Sequence, residues 1–301
     1  MIQNHKHQGI IVPLVTPFTP AAEIDEPAVG RIVKNCADGG VHVFVLGTTG
    51  EAASIPITKR VRLVKAAVEA AAGRTKVYAG IGDNCPESSI SAANEYLRLG
   101  VDAVVAHLPA YYPLKPAEMK AFFELLSSKV RGSLMLYNIP STTHMSLPLD
   151  VAEELSHQPN IIGFKDSENA PGRPEETARR LGGRPDFSIF MGAAVLSAKG
   201  LKLGFDGLVP SSGNLVPHLW RELYDQALAG HWEKVEALQV RLNTIAQVFQ
   251  RDRTLGESLA ALKAMMETRG LCGPTVLPPL RTLDQPARQI VQRDLSALNL
   301  A

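Results

Sequence analysis

The chain has 301 residues, 45% of them hydrophobic and 20% charged, with a formal net charge of +1. That balance fits an ordinary folded protein, and no run of Lys or Arg forms the footprint of a nucleic-acid or anionic-membrane binder. Cys36, Cys85 and Cys272 stand far apart with no C-x-x-C spacing, so neither a disulfide framework nor a zinc knuckle is expected.

In chain order, the N-terminus up to Gly9 is polar and lacks the apolar core of a signal peptide. His5 and His7 have ligand-like spacing there, but a disordered tail is the expected reading. No stretch reaches the roughly 18 to 20 apolar residues of a membrane span, and a cytoplasmic location is expected. Short apolar runs then recur, beginning near Ile10, His42, Lys76, Asp102, Ser133, Ile161, Phe187 and Gly207. Amphipathic helical patterns lie between them, at 58–72, 86–99, 116–130 and 148–156. Several open on Pro or follow Asp, Asn, Ser or Thr, and many close on Gly.

Strands alternating with helices predict a parallel sheet of βαβ units. Eight units fit before about Gly230, the count that closes a (β/α)8 TIM barrel, which needs roughly 250 residues or somewhat fewer. Beyond Gly213 the pattern predicts helices from Pro217, His231 and Thr254 and over 285–298, without further strands. The chain thus reads as an α/β protein, a barrel over 1–230 with a C-terminal helical extension over 231–301. An open doubly wound sheet would want a Gly-rich loop after the first strand, where 10–20 carries prolines instead.

In such a barrel the chemistry collects at the carboxyl ends of the strands. Lys165 ends the apolar run Ile161–Ile162–Gly163–Phe164. Strict alternation places Ile161, Gly163 and Lys165 on one face, and a buried amine is pushed toward its neutral, nucleophilic form. Lysines at strand ends also commonly reach solvent, so this residue alone decides nothing. Strand two ends in the loop 47–51, where Thr48, Thr49 and glycine-freed backbone N–H groups suit a small carboxylate or phosphate, or simply form a turn. Tyr137, on the neighbouring strand, is either a proton-transferring phenol or a ring filling the barrel top. Together these groups favour one chemistry. The lysine condenses with the keto carbon of a 2-oxo acid, the loop holds its carboxylate, and the phenol moves the proton. The iminium takes the place of a Lewis acid, so no cofactor or metal is expected.

The spaced strings GTTGE (47–51), PAYYP (109–113), YNIPS (137–141), GFKDS (163–167) and GLVPSSGN (207–214) resemble the dihydrodipicolinate synthase / N-acetylneuraminate lyase family of Schiff-base-forming pyruvate lyases. The likeness runs from Gly9 to about Leu280. It implies that Lys165 forms the Schiff base with pyruvate, that Tyr137 transfers the proton, and that Thr48 and Thr49 bind the pyruvate carboxylate. It further implies that Tyr112 reaches into a neighbouring subunit's site, that Val209 presents its carbonyl near the pyruvate, and that the protein is a homotetramer. Two departures bear on substrate. Thr142 stands where the synthases carry an arginine for the incoming aldehyde's carboxylate. Gly192–Ala193–Ala194 lacks the acidic groups with which sialate lyases hold a polyol. Ser167 and Ser211 keep hydroxyls where the lyases use them.

The resulting expectation is an aldolase acting on a 2-keto-3-deoxy sugar acid or 4-hydroxy-2-oxo acid. Its alternatives are a hydro-lyase or a synthase-like condensing enzyme using the same lysine, and a non-catalytic regulatory barrel. His144 is either a part of the distal pocket or, as expected, a loop histidine with ordinary contacts. Asp166 and Glu168, on the opposite face from Lys165, are expected to make helix-side contacts.

Overall fold

The computed structural model describes residues 7–299. Its strands are β1 (Gly9–Pro13), β2 (His42–Val45), β3 (Val77–Gly80), β4 (Ala103–His107), β5 (Leu134–Asn138), β6 (Ile161–Asp166), β7 (Ser188–Met191) and β8 (Gly207–Leu208). All pair in parallel and in sequence order, and β8 returns to β1 to close the barrel. Each begins within one residue of the start predicted from the sequence.

Strands buried on both faces need no polar side, which is why these segments read as continuous apolar runs. Ile11, Phe44, Tyr78, Val105, Met135 and Phe190 point inward and fill the barrel. Their neighbours Val12, Val43, Val104, Leu136 and Ile189 point outward and pack against the helices. The expected alternation fails at one place. The register of β6 against β5 shifts between Leu134 and Met135, so Ile161 joins the outer core and Ile162 packs on the inner one. The irregularity is absorbed before Gly163, which pairs with Met135, and Lys165 then pairs with Tyr137.

His7 also departs from expectation. It is buried, and its Nδ1 shares a 2.9 Å hydrogen bond with the Tyr78 hydroxyl, so the chain is anchored from this residue onward. His5 lies outside the described residues.

After β8 the described residues form helices Pro217–Leu228, Trp232–Gln250, Leu255–Thr268 and Gln285–Ser296, and no strand. Gln239 stitches the second of these to the barrel: its Nε2 donates to the Ala194 carbonyl (3.1 Å) and its Oε1 accepts from the Ala198 N–H (2.8 Å). Helix Leu255–Thr268 opens with a reciprocal cap, Glu257 N–H to Thr254 Oγ1 (3.3 Å) and Thr254 N–H to the Glu257 carboxylate (2.8 Å). From Ser258 to Met266 this helix is buried on every side, including Lys263. No helix among the described residues is long and apolar enough to cross a membrane.

Candidate active site

The inward positions at the carboxyl ends of β4 to β7 form a row. His107, Tyr137, Lys165 and Phe190 are register partners on successive strands. Lys165 is only 4% exposed, and its Nζ lies 3.8 Å from the centroid of the Tyr137 ring and 5.1 Å from that of Phe44. Burial lowers its pKa below the ordinary lysine value, while the Tyr137 phenol pulls the other way. An amine so placed deprotonates more readily than one in water, which is the condition for attack on a carbonyl carbon.

Behind this row the same strands are locked by outward-facing polar residues. Asn138 Nδ2 donates to Asp166 Oδ1 and to Glu168 Oε2 (2.8 Å each), and Asn138 Oδ1 accepts from the Leu147 N–H (2.9 Å). Arg173 Nε donates to Asp166 Oδ2 at 2.7 Å. Asp166 is therefore committed to the helix side, as its position in the alternation predicts, and it is not the counter-ion of its neighbour Lys165. On the far side, Asn214 joins β1 to the loop after β8 by donating to the Pro13 and Ser211 carbonyls (2.8 Å each).

Above the row lies a cavity of about 440 Å³, walled by Thr48, Glu51, His107 and Thr142 and, from the C-terminal segment, Leu255 and Leu280. A narrow void of about 10 Å³ below it is lined by Lys165, Phe44, Tyr78 and Val209. The loop carrying Thr48 and Thr49 is a tight turn. The N–H groups of Gly50 and Ala52 bond to the Gly47 carbonyl, and that of Glu51 to the Thr48 carbonyl. The turn's own bonds thus use the N–H groups of Gly50, Glu51 and Ala52, and of the two threonines Thr48 lines the cavity and Thr49 does not. Thr16 Oγ1 fixes the turn by donating to the Gly50 carbonyl at 2.7 Å.

Ser167 Oγ donates to the Tyr137 hydroxyl at 3.4 Å. Gly192 makes this possible, because a Cβ there would lie 2.1 Å from that Oγ. Lys165, Tyr137, Ser167 and Gly192 are therefore one group, with Thr48 and Thr142 in the cavity above and Val209 beside the lysine. Ser211 is half-buried in the short turn after β8, its carbonyl engaged with Asn214. Tyr112 stands apart in its own chain: it is 70% exposed and packs edge-on against Tyr111, with ring centroids 5.0 Å apart. His144 is exposed and closes a short helix in the left-handed conformation, away from the cavity wall.

Two residues not singled out in the sequence belong to the site's frame. His107 follows Ala103 and Val105 on the inward face of β4 and lies edge-on to the Tyr137 ring, centroids 6.4 Å apart. Lys263 forms a wholly buried ion pair with Glu51 and donates to the Thr275 carbonyl at 2.7 Å, while Glu51 Oε2 accepts from the Leu277 N–H at 2.9 Å. That network ties the GTTGE turn to the C-terminal helices.

Comparison with known proteins agrees with this architecture. The chain matches the Dihydrodipicolinate synthetase family over residues 6–298. A 4-hydroxy-tetrahydrodipicolinate synthase of Xanthomonas campestris is 32% identical over 295 residues, covering 96% of this chain and 95% of the relative. An uncharacterized DapA-like lyase of Halobacterium salinarum is 30% identical over 294 residues, covering 97% and 94%. Among solved structures, dihydrodipicolinate synthase from Bacteroides thetaiotaomicron aligns with a TM-score of 0.92 at 31% identity, covering 98% of this chain and 100% of that one. YagE, a prophage protein of E. coli solved in complex with pyruvate, aligns with a TM-score of 0.92 at 26% identity and the same coverage. A barrel closed in this strand order, a buried lysine facing a tyrosine at its mouth, and a family match along nearly the whole chain lead to one conclusion: the protein is an enzyme, a lyase belonging to the dihydrodipicolinate synthetase family.

Proposed function

We propose that this enzyme is a Schiff-base-forming pyruvate aldolase, acting on a 2-keto-3-deoxy sugar acid or a 4-hydroxy-2-oxo acid. The observation that carries the reading is the buried Lys165 amine packed on the Tyr137 ring, in the same row as His107, which lines the cavity at the carboxyl ends of the strands. Lys165 Nζ attacks the keto carbon of the bound 2-oxo acid, and loss of water leaves an iminium. Thr48 and Thr49 hold the carboxylate through hydroxyls and backbone N–H groups. In the cleavage direction the hydroxyl on the carbon two beyond the imine gives up its proton, the carbon–carbon bond breaks, and its electron pair neutralises the iminium as an enamine. An aldehyde departs. Protonation of the enamine, with Tyr137 as the proton carrier, and hydrolysis then free pyruvate and the lysine. The imine serves as the electron sink, so no separate cofactor enters this mechanism.

A hydro-lyase is the second reading: the same iminium, its carbon–carbon bond intact, can instead lose a proton from the adjacent carbon, and the resulting enamine expels the hydroxyl of the next carbon, which takes up a proton and leaves as water. Ser167 beside the phenol would then assist the leaving group. Tyr112, exposed and apart from the cavity of its own chain, is best accounted for as a contribution to the site of a second copy in a homotetramer.

Substrate choice follows from Thr142. It lines the cavity with Thr48, and its hydroxyl lacks the charge and forked donors that grip a carboxylate. A neutral, hydroxylated aldehyde suits this wall better than an acidic one. Thr142→Arg is expected to raise kcat/KM for carboxylate-bearing aldehydes by at least about tenfold, the scale of one charge-assisted hydrogen bond. An unchanged preference between glyceraldehyde and an acidic semialdehyde would count against the distal-wall assignment. The reaction class is tested by incubating a panel of 2-keto-3-deoxy acids and 4-hydroxy-2-oxo acids with the enzyme. Pyruvate release, read with lactate dehydrogenase, is expected; conversion to a dehydrated oxo acid without pyruvate would favour the hydro-lyase.

A further inference from the structure

We infer that His107 is a second proton-transfer group of this site, its Nε2 taking the proton from the substrate hydroxyl two carbons beyond the imine; this rests on the aldolase reading above. Three observations support it. His107 occupies the same row as Tyr137 and Lys165, one strand further from the lysine, and it walls the cavity into which the distal half of a substrate must extend. Its tautomer is fixed. Nδ1 lies 2.7 Å from the Leu108 carbonyl, which only accepts, so Nδ1 carries the hydrogen and the neutral ring keeps its lone pair on Nε2. Its place is also built by its neighbours: a Cβ at Gly82 would lie 2.0 Å from Nε2, so only glycine leaves room for the ring in this orientation.

Burial lowers the His107 pKa, and the positive charge of Lys165 lowers it further, outweighing the upward pull of the Leu108 carbonyl. The resting ring is therefore held neutral, with a lone pair on Nε2. In cleavage, the substrate O–H bond breaks as Nε2–H forms, the oxygen electrons make the aldehyde C=O, and the C–C electron pair passes to the enamine. In synthesis the ring first takes a proton from solvent on Nε2, and the imidazolium gives it to the new alkoxide, returning to the neutral form. Tyr137 is left with the proton of the enamine carbon. Each of the two protons thus has its own carrier, as the two sides of the reacting bond require.

The division of labour is testable with pyruvate and glyceraldehyde. Exchange of pyruvate methyl protons in D2O requires Lys165 and a proton carrier at the enamine carbon, but no group at the distal oxygen. In His107→Asn and His107→Gln, carbon–carbon bond formation between pyruvate and glyceraldehyde is expected to fall by about 100-fold or more, the usual worth of a positioned acid or base, while methyl exchange falls only a few-fold. Equal loss of both rates, or wild-type bond formation in both variants, would overturn the assignment while leaving the aldolase reading intact. A wild-type enzyme that exchanges the methyl protons but joins and cleaves nothing would overturn the aldolase reading, and this inference with it.

Discussion

Lys165→Ala should lower turnover of every 2-oxo-acid substrate by at least about four orders of magnitude, because it removes the only bond through which this mechanism stabilises the carbanion. The fold should survive. Lys165 is buried among the rings of Phe44 and Tyr137 and has no carboxylate partner among the described residues, so shortening it leaves no orphaned charge there. Tyr137→Phe isolates the second role. The amine remains, the imine still forms, and turnover falls by about 10²- to 10⁴-fold, as expected for loss of a proton carrier. The two variants thus separate on adduct formation. A Lys165→Ala enzyme with wild-type turnover would remove the basis of the mechanism, and a Tyr137→Phe enzyme unable to form the imine would transfer the phenol's role to the first step.

The second large effect concerns stability. Lys263 and Glu51 are both fully buried, and they join helix Leu255–Thr268 to the turn that carries Thr48 and Thr49. Burial lowers the Lys263 pKa, and Glu51 opposes that shift, so the ammonium depends on its partner. Removing one member leaves the other charged and unpaired in a dry interior. Lys263→Met is therefore expected to cost about 3–5 kcal/mol, a fall in Tm on the order of 10 °C for a chain of this size. Glu51→Gln with Lys263→Met removes both charges and should recover a large part of that loss. Thermal melts of the single and double variants decide the matter. A Lys263→Met enzyme melting with the wild type would show that the pair holds nothing together.

Much of this was legible in the residues, and the exceptions have identifiable causes. Strands buried on both faces announce themselves as short apolar runs, and each start was found within one residue. Helix starts were equally plain where Pro or a capping residue marks them, as at Pro86 and Thr254. Lys165 stood out because a charge at the end of an apolar strand is chemically conspicuous. The face of Ile161 was misassigned because a register shift is set by the partner strand, which local alternation does not report. His7 read as tail because its partner, Tyr78, lies far along the chain. His107 was legible in part: the alternation Ala103, Val105, His107 places it inside the barrel, although a lone histidine at a strand end carries less chemical signal than the paired tyrosines of the next loop. Lys263 offered no such clue. A lysine in a helix is ordinarily a surface residue, and the carboxylate of Glu51, brought from the other end of the chain, with the Thr275 carbonyl, makes its burial tolerable.

The most direct measurement is reduction with borohydride in the presence of pyruvate, followed by mass mapping of the peptides. The wild-type enzyme should gain one reduced pyruvate per chain, on the peptide spanning β6 and at Lys165, and omission of borohydride should leave that peptide unlabelled. Stable label on Lys263 or a surface lysine instead, or no label with an enzyme that still turns over, would contradict the assignment of Lys165 as the imine-forming amine.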